Sequence, residues 1–102
     1  MYPPNPRTNN ARSIGDLLVE FMHESGLDKT YYERDLIRRW PEVVSPMAAQ
    51  LTQRLEVRDG VLYAYIRSAA LKDQLFTLRF ELVEQLNKAV GAKVIHDIRL
   101  LG

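Results

Sequence analysis

Two runs of alternating apolar and polar residues, Leu51 to Arg58 and Val61 to Ser68, lie on either side of the dipeptide Asp59-Gly60. Such alternation is typical of strands that bury one face, and Asp-Gly between two strands favours a two-residue type I′ turn. That turn fixes the strand register. One face is mainly apolar, with the predicted pairs Val57–Leu62, Leu55–Ala64 and Gln53–Ile66. The other face is basic and aromatic, with the predicted pairs Glu56–Tyr63, Arg54–Tyr65 and Thr52–Arg67.

Helical periodicity precedes this hairpin. Ser13 begins a capping-box spacing, and the apolar positions after it predict a helix that ends near Gly26. Thr30 and Glu33 repeat the spacing and predict the start of a second helix, with a kink or break beside Trp40, where Pro41 removes a backbone donor. The apolar stripe of this second helix consists of Leu36, Ile37, Trp40, Val43 and Val44.

Helical periodicity also follows the hairpin. Ser45 before Pro46 predicts one more short helical turn ahead of it, and Ser68 predicts the N-cap of a helix of about 22 residues that ends at Gly91. The long helix carries the chain to a last strand, Val94 to Leu101, which should therefore run parallel to the second strand. The apolar stripe of the long helix consists of Leu71, Leu75, Leu78, Leu82 and Leu86, widened by Phe76, Phe80 and Val83.

The order of these elements predicts an α+β fold. N-terminal helices, a β-hairpin, a long helix and a final strand give a mixed three-stranded sheet with helices on one face. Residues 1–12 contain three prolines and three asparagines, which predicts a disordered tail. Residues 13–102 then form a single domain.

Composition excludes several functional classes. The 102 residues are 46% hydrophobic and 26% charged, as in an ordinary globular protein, and they include no cysteine. Disulfides and thiolate metal sites are therefore excluded, and no apolar run is long enough to span a membrane, so we expect a cytoplasmic protein. His23 and His96 are isolated, and no nucleotide-binding or metalloenzyme motif occurs. We expect no catalytic site, metal or cofactor.

The polar face of the hairpin is the main candidate for a binding site. Its residues are Arg54, Arg58, Tyr63, Tyr65 and Arg67. Tyrosine rings on a sheet can stack on unpaired bases while arginines hold phosphates, as in single-strand binding proteins. Two other interpretations stay open: Tyr–Arg pairs that only stabilise an exposed sheet, and an interface with a protein partner or a second copy. The net charge of +1 means that any nucleic-acid binding depends on such local patches.

The second helix offers weaker candidates. Arg34, Arg38 and Arg39 form a secondary basic cluster, which neighbouring carboxylates dilute. Trp40 lies on the apolar stripe, where it is either a core residue or an exposed interface residue. Its spacing from the other stripe residues favours the core.

Several segments together resemble the DciA-like family of bacterial proteins, over roughly residues 14 to 101. The specificity lies in their order and spacing. The segments are Trp40-Pro41-Glu42-Val43-Val44, Gly60-Val61-Leu62-Tyr63, Ser68-Ala69-Ala70-Leu71, Leu86-Asn87, Gly91, and Val94 to Leu100.

The resemblance implies an operator or loader of the replicative DNA helicase, with some affinity for DNA and a type II K-homology-like fold. Together with the polar face of the hairpin, it favours a non-enzymatic module that contacts the helicase and binds single-stranded DNA. Two departures matter. No Gly-x-x-Gly loop, with which K-homology domains clamp a nucleic-acid backbone, occurs, and the link from Ser68 to Leu71 is not one. Longer family members carry an extension, whereas this chain stops at Gly102.

Two alternative functions remain open beside this one. The first is a self-assembling or protein-interaction domain, such as a homodimer, that uses the Tyr/Arg sheet face. The second is an RNA-binding module with a K-homology-like shape.

Overall fold

The computed structural model describes residues 27–102. The predicted tail over residues 1–12 and the predicted helix that begins near Ser13 lie outside them. The chain divides into two compact units, Met1–Tyr31 and Tyr32–Gly102. The described part of the first unit is the beginning of one helix, and the fold below is that of the second unit. The single domain over residues 13–102 stays a prediction.

Two helices precede the sheet. Helix α1 spans Leu27–Val43 and helix α2 spans Pro46–Leu51. Helix α1 is already helical at Leu27, so Thr30 does not start it. The negative charge of Asp28 in the first turn interacts favourably with the helix dipole. The helix continues through Pro41 to Val43, so the predicted break beside Trp40 is not present.

The short helix α2 begins as predicted. The Ser45 hydroxyl accepts a hydrogen bond from the backbone N–H of Ala48 at 3.2 Å, and Pro46 occupies the first helical position. Serine is a favoured N-cap, and proline at this position loses no helical hydrogen bond.

The hairpin is confirmed, with strands β1, Thr52–Arg58, and β2, Val61–Ile66. Both turn residues have positive φ, 50° at Asp59 and 76° at Gly60, as a type I′ turn requires. A Cβ atom on Gly60 would approach His96 Cδ2 to 2.6 Å, so the exposed imidazole would have to shift to make room for it.

Four predicted cross-strand pairs of the hairpin are present and two are not. Thr52 pairs with Ile66, and the register shifts between Thr52 and Arg54. Gln53 therefore does not face Ile66, and Thr52 does not face Arg67. The irregularity lies where α2 runs directly into β1, with Thr52 serving as both the helix C-cap and the first strand residue. The pairs that match the prediction are Val57–Leu62, Leu55–Ala64, Glu56–Tyr63 and Arg54–Tyr65.

The predicted long helix is divided in two. Helix α3 spans Ala69–Thr77 and helix α4 spans Arg79–Val90. Its ends are as predicted: the Ser68 hydroxyl accepts from Leu71 N at 3.1 Å, and Gly91 is left-handed with φ 82°. At the break, the backbone N–H of Leu78 bonds back to Leu75 O at 3.1 Å, which tightens the turn.

The break changes which side chains are buried. Leu71, Leu75, Leu82 and Leu86 are in the core, as their spacing predicted. Leu78 is exposed, and the prediction that aromatic residues widen the buried stripe is wrong, because Phe76 and Phe80 are exposed as well.

Strand β3 spans Asp97–Leu101 and runs parallel to β2, as the crossover predicted. It starts later than Val94 because Asn87 of α4 binds the preceding backbone. Asn87 Oδ1 accepts from the N–H groups of Val94 at 2.9 Å and Ile95 at 3.1 Å, and Nδ2 donates to Ile95 O at 2.8 Å. Those groups are therefore not available for a strand ladder.

The sheet has the order β1-β2-β3, with one antiparallel and one parallel pair. The α+β class and the mixed three-stranded sheet are therefore confirmed. The apolar face of β2 packs with the helices in one core, and no helix among residues 27–102 covers the opposite face. The largest fully buried side chains are Leu36, Trp40, Leu62, Ile66, Leu86, Ile95 and Ile98.

Candidate functional site

The open side of the sheet carries charged and aromatic side chains from all three strands. We call it the outer sheet face. Because residues two apart on a strand share a face, the register places these side chains together. Arg67 lies just after β2, two residues beyond Tyr65, so it is on the same face, and it is exposed. The charged and aromatic residues of the outer sheet face are Arg54, Glu56, Arg58, Tyr63, Tyr65, Arg67, Asp97 and Arg99, and Val61 and Leu101 share this face.

Two arginines of β1 lie over two tyrosine rings of β2. The guanidinium carbon of Arg54 is 4.8 Å from the centroid of the Tyr65 ring. That of Arg58 is 4.4 Å from the centroid of the Tyr63 ring. Both tyrosines are half-buried and both arginines are exposed. The arginines therefore cover the ring faces while their charges stay in water.

Glu56 joins the two arginines. Its carboxylate accepts a hydrogen bond from Arg54 Nη2, and its other oxygen lies 3.2 Å from Arg58 Nε. The hydrogen bond from Arg54 holds the pKa of Glu56 below its ordinary value, and the same bond raises the pKa of Arg54. All three groups are charged at neutral pH, and one carboxylate offsets part of the charge of two arginines.

Arg99 extends the face to the third strand. It pairs with Tyr63 across the parallel ladder, and its Nε lies 3.6 Å from Asp97 Oδ2. Arg67 has no carboxylate partner among residues 27–102. Four arginines and two carboxylates leave the outer sheet face with an excess of two positive charges.

Three residues of this face were not singled out from the sequence. The pairing of Arg99 and Asp97 with β2 follows from a parallel third strand, but the apolar residues from Val94 onward do not alternate cleanly. The bridging by Glu56 depends on side-chain geometry, which periodicity does not give. The five predicted residues, Arg54, Arg58, Tyr63, Tyr65 and Arg67, do lie on one face.

The secondary basic cluster on α1 is largely paired with carboxylates. Arg38 Nη2 lies 2.8 Å from Asp35 Oδ1. Arg39 lies 3.7 Å from the same oxygen and 3.3 Å from Glu42 Oε1. Arg34 is exposed. This surface therefore presents less free positive charge than the outer sheet face does.

Trp40 is a core residue, as its spacing favoured. Its side chain is 1% exposed, and its indole Nε1 donates to the Thr52 hydroxyl at 3.0 Å. That hydroxyl donates in turn to Ala48 O at 2.7 Å. Trp40 is therefore not a surface anchor for a partner.

Metal-ligating side chains do not cluster in the described part of the chain. Among residues 27–102, no three His, Cys, Asp or Glu side chains group closely enough to hold a metal ion. His96 packs against the glycine of the hairpin turn, and its backbone N–H donates to Gly60 O at 2.7 Å. No described helix combines the length and apolar character needed to cross a bilayer.

Comparison with known proteins decides the family. A family model described as "Dna[CI] antecedent, DciA" matches residues 13–100. The chain belongs to the DciA family. It is also 25% identical, over 99 residues, to a UPF0232 protein of Rhodococcus jostii (strain RHA1). That match covers 97% of this chain and 53% of the relative, so the chain spans about half the relative's length.

The residues that carry the DciA resemblance are mostly structural. Trp40 fills the core, Ser68 caps α3, and Gly91 ends α4 in a left-handed conformation. Asn87 fastens the segment before β3 to α4. The resemblance therefore identifies the fold of the DciA family more directly than it identifies contact residues.

Proposed function

We propose that this chain is a non-enzymatic, cytoplasmic binding module of bacterial DNA replication. It contacts the replicative DNA helicase and binds single-stranded DNA on the outer sheet face. Membership of the DciA family supports the role in replication. The observation that carries the DNA-binding part is the excess of arginine on the outer sheet face, beside two tyrosine rings of the central strand.

The geometry suggests how a strand of DNA is held. Arg67, which has no carboxylate partner in the described part of the chain, meets a phosphate first. Arg54 and Arg58 then leave the rings of Tyr65 and Tyr63 for phosphates, and bases stack on the uncovered rings. An exposed cation–π contact contributes about 0.5–1 kcal/mol, whereas a base stacked on an aromatic ring contributes about 1–3 kcal/mol, so base stacking more than replaces the cation–π contacts.

A salt titration tests the phosphate contacts. We expect the purified chain to bind a fluorescein-labelled oligothymidine, with affinity measured by fluorescence anisotropy. With about three phosphate contacts, affinity falls roughly 20-fold between 50 and 200 mM salt, because counterions are released on binding. An affinity that does not change with salt contradicts the proposal.

Charge reversal tests the surface. The double variant Arg54→Glu with Arg67→Glu should abolish binding, while circular dichroism shows an intact fold. Lys88→Glu, on α4 at the other side of the sheet, is a single charge-reversal control and should bind like the wild type. Arg34→Glu tests the secondary basic cluster in the same assay. Unchanged affinity in the double variant removes the outer sheet face from the proposal.

The helicase contact is tested separately. The chain is mixed with the replicative helicase of its own organism and run on size exclusion with light scattering. We expect a stoichiometric complex. No complex at tens of micromolar contradicts this part of the proposal, whatever the DNA result.

Self-association is the second candidate function, because half-buried tyrosines next to arginines are typical of protein interfaces. Sedimentation velocity distinguishes it from DNA binding. A tight dimer that dissociates in the double variant and binds no oligothymidine supports self-association. Tighter binding of oligouridine than of oligothymidine supports the RNA-binding alternative instead.

A further inference from the structure

The helical side of the molecule carries an exposed apolar patch at the junction of α3 and α4. Phe76 is 53% exposed, Leu78 39% and Phe80 67%. Single exposed apolar residues are common, but here three large ones lie within five positions, and two of them contact the same arginine. The patch exists because the helix breaks at Leu78, so that the predicted stripe does not continue into the core.

Arg79 orders the two aromatic rings of this patch. Its guanidinium carbon lies 3.9 Å from the centroid of the Phe76 ring and 4.4 Å from that of the Phe80 ring. Its Nη1 also donates to Phe76 O at 3.1 Å. Exposed rings held in this way lose little further freedom when a partner covers them, which lowers the cost of binding.

A groove of about 510 Å³ begins at Phe80 and follows α4. Val83 and Ile95 give it apolar walls. Glu81, Glu84 and Lys93 also line it, and none of the three has an ion pair in the part of the chain that the structure describes. Its lining positions on α4 extend from Phe80 to Asn87, which corresponds to about 10 Å or two helical turns.

We propose that this surface docks an amphipathic helix of another protein. The surface consists of Phe76, Leu78, Phe80 and the groove beside α4. Apolar side chains of the partner cover the rings and enter the groove, and its basic side chains meet Glu81 and Glu84. The two carboxylates outnumber Lys93 in the groove, which argues against nucleic acid here, because carboxylates repel phosphates. The proposal rests on the proposed function only in that the chain acts through a protein partner.

This surface and the outer sheet face lie on opposite sides of the sheet. Helices α3 and α4 bury their leucines against the apolar face of β2, whereas the arginines and tyrosines lie on the other face. A helix docked beside α4 therefore leaves the outer sheet face free. The module can hold a protein partner and single-stranded DNA at the same time.

Synthetic peptides test the surface without an identified partner. The probe is a fluorescein-labelled 18-residue amphipathic helix of leucine and lysine, and the control peptide has glutamate in place of lysine. We expect the leucine–lysine peptide to bind the full chain at least tenfold more tightly than the control in fluorescence anisotropy. Similar affinities for the two peptides overturn the proposal.

Variants show whether binding occurs at this surface. Phe80→Ala and Glu84→Lys should each lower the affinity for the leucine–lysine peptide at least fivefold. Both substitutions replace exposed side chains, so the fold is retained. Glu33→Lys on α1 is the charge-matched control and should bind like the wild type. Unchanged peptide affinity in Phe80→Ala and Glu84→Lys overturns the proposal.

Two further results separate this inference from the DNA proposal. Oligothymidine affinity should be unchanged in Phe80→Ala, and weaker DNA binding there would make the patch a base-stacking surface and overturn the inference. A wild-type dimer that Phe80→Ala converts to a monomer would mean that a second copy covers the patch, which also overturns it. Selective peptide binding without any DNA binding supports this inference while the DNA proposal fails.

Discussion

The hydrogen bond between Trp40 and Thr52 allows a quantitative test of how the first helices are joined to the sheet. The Thr52 hydroxyl accepts from Trp40 Nε1 at 3.0 Å and donates to Ala48 O at 2.7 Å. It thus links α1, α2 and β1 through one oxygen. Thr52→Val keeps the shape and the strand preference of the side chain but removes both bonds.

The expected loss follows from burial of the indole. Trp40 is 1% exposed, so its N–H finds no water when the hydroxyl is removed. A buried donor left without a partner costs about 1–3 kcal/mol, and the added methyl group returns up to about 0.8 kcal/mol. We therefore expect Thr52→Val to lower the free energy of unfolding by roughly 1–2 kcal/mol, and the Tm by about 4–8 °C for each kcal/mol.

Urea denaturation followed by fluorescence measures this loss, because Trp40 is the single tryptophan of the chain. The matched control is Thr77→Val, whose exposed hydroxyl donates to Asp73 O at 3.1 Å. It should change stability by less than about 0.5 kcal/mol. If Thr52→Val costs no more than Thr77→Val, the Trp40–Thr52 bond does not stabilise the fold and the reasoning is refuted.

Three further substitutions test stability in the same urea denaturation. Asn87→Ala removes three hydrogen bonds to the segment before β3 and should lower the free energy of unfolding by about 2–3 kcal/mol. A loss below about 0.5 kcal/mol would mean that the segment keeps its conformation without the Asn87 side chain. Gly91→Ala should cost about 1–2 kcal/mol from its φ of 82° alone, since nothing lies within 4 Å of the new Cβ. Gly60→Ala should cost more than Gly91→Ala, because its Cβ also meets His96, and equal losses would show that His96 moves aside freely.

The hairpin could be predicted because its determinants are local. Asp59-Gly60 selects the turn, and the turn sets every pair up to Arg54–Tyr65. Beyond that point the prediction is wrong, because Thr52 is also the C-cap of α2 and its backbone N–H bonds to Ala49 O. An alternating pattern of apolar and polar residues does not indicate that the first residue of the strand is also the C-cap of the preceding helix.

The break in the long helix had no local signal. No glycine or proline occurs between Ala69 and Val90, and the leucine stripe continues through Leu78. Tertiary packing decides there, as it does before β3, where the Asn87 side chain binds a segment of high strand propensity.

The candidate site could be predicted in its residues but not in its electrostatics. Alternation along β1 and β2 places Arg54, Arg58, Tyr63 and Tyr65 on one face. The two arginines share Glu56, and this was found only from side-chain geometry. It matters for function because the shared carboxylate reduces the charge that the face presents to DNA.

The affinity of Glu56→Gln for oligothymidine tests the central proposal most directly. At neutral pH the lowered pKa keeps Glu56 charged, so the substitution removes one negative charge and releases Arg54 and Arg58. A unit charge about 6 Å from a phosphate in water is worth about 0.7 kcal/mol, so affinity at low salt should rise about threefold. If Glu56→Gln binds oligothymidine no better than the wild type, single-stranded DNA does not lie on the outer sheet face.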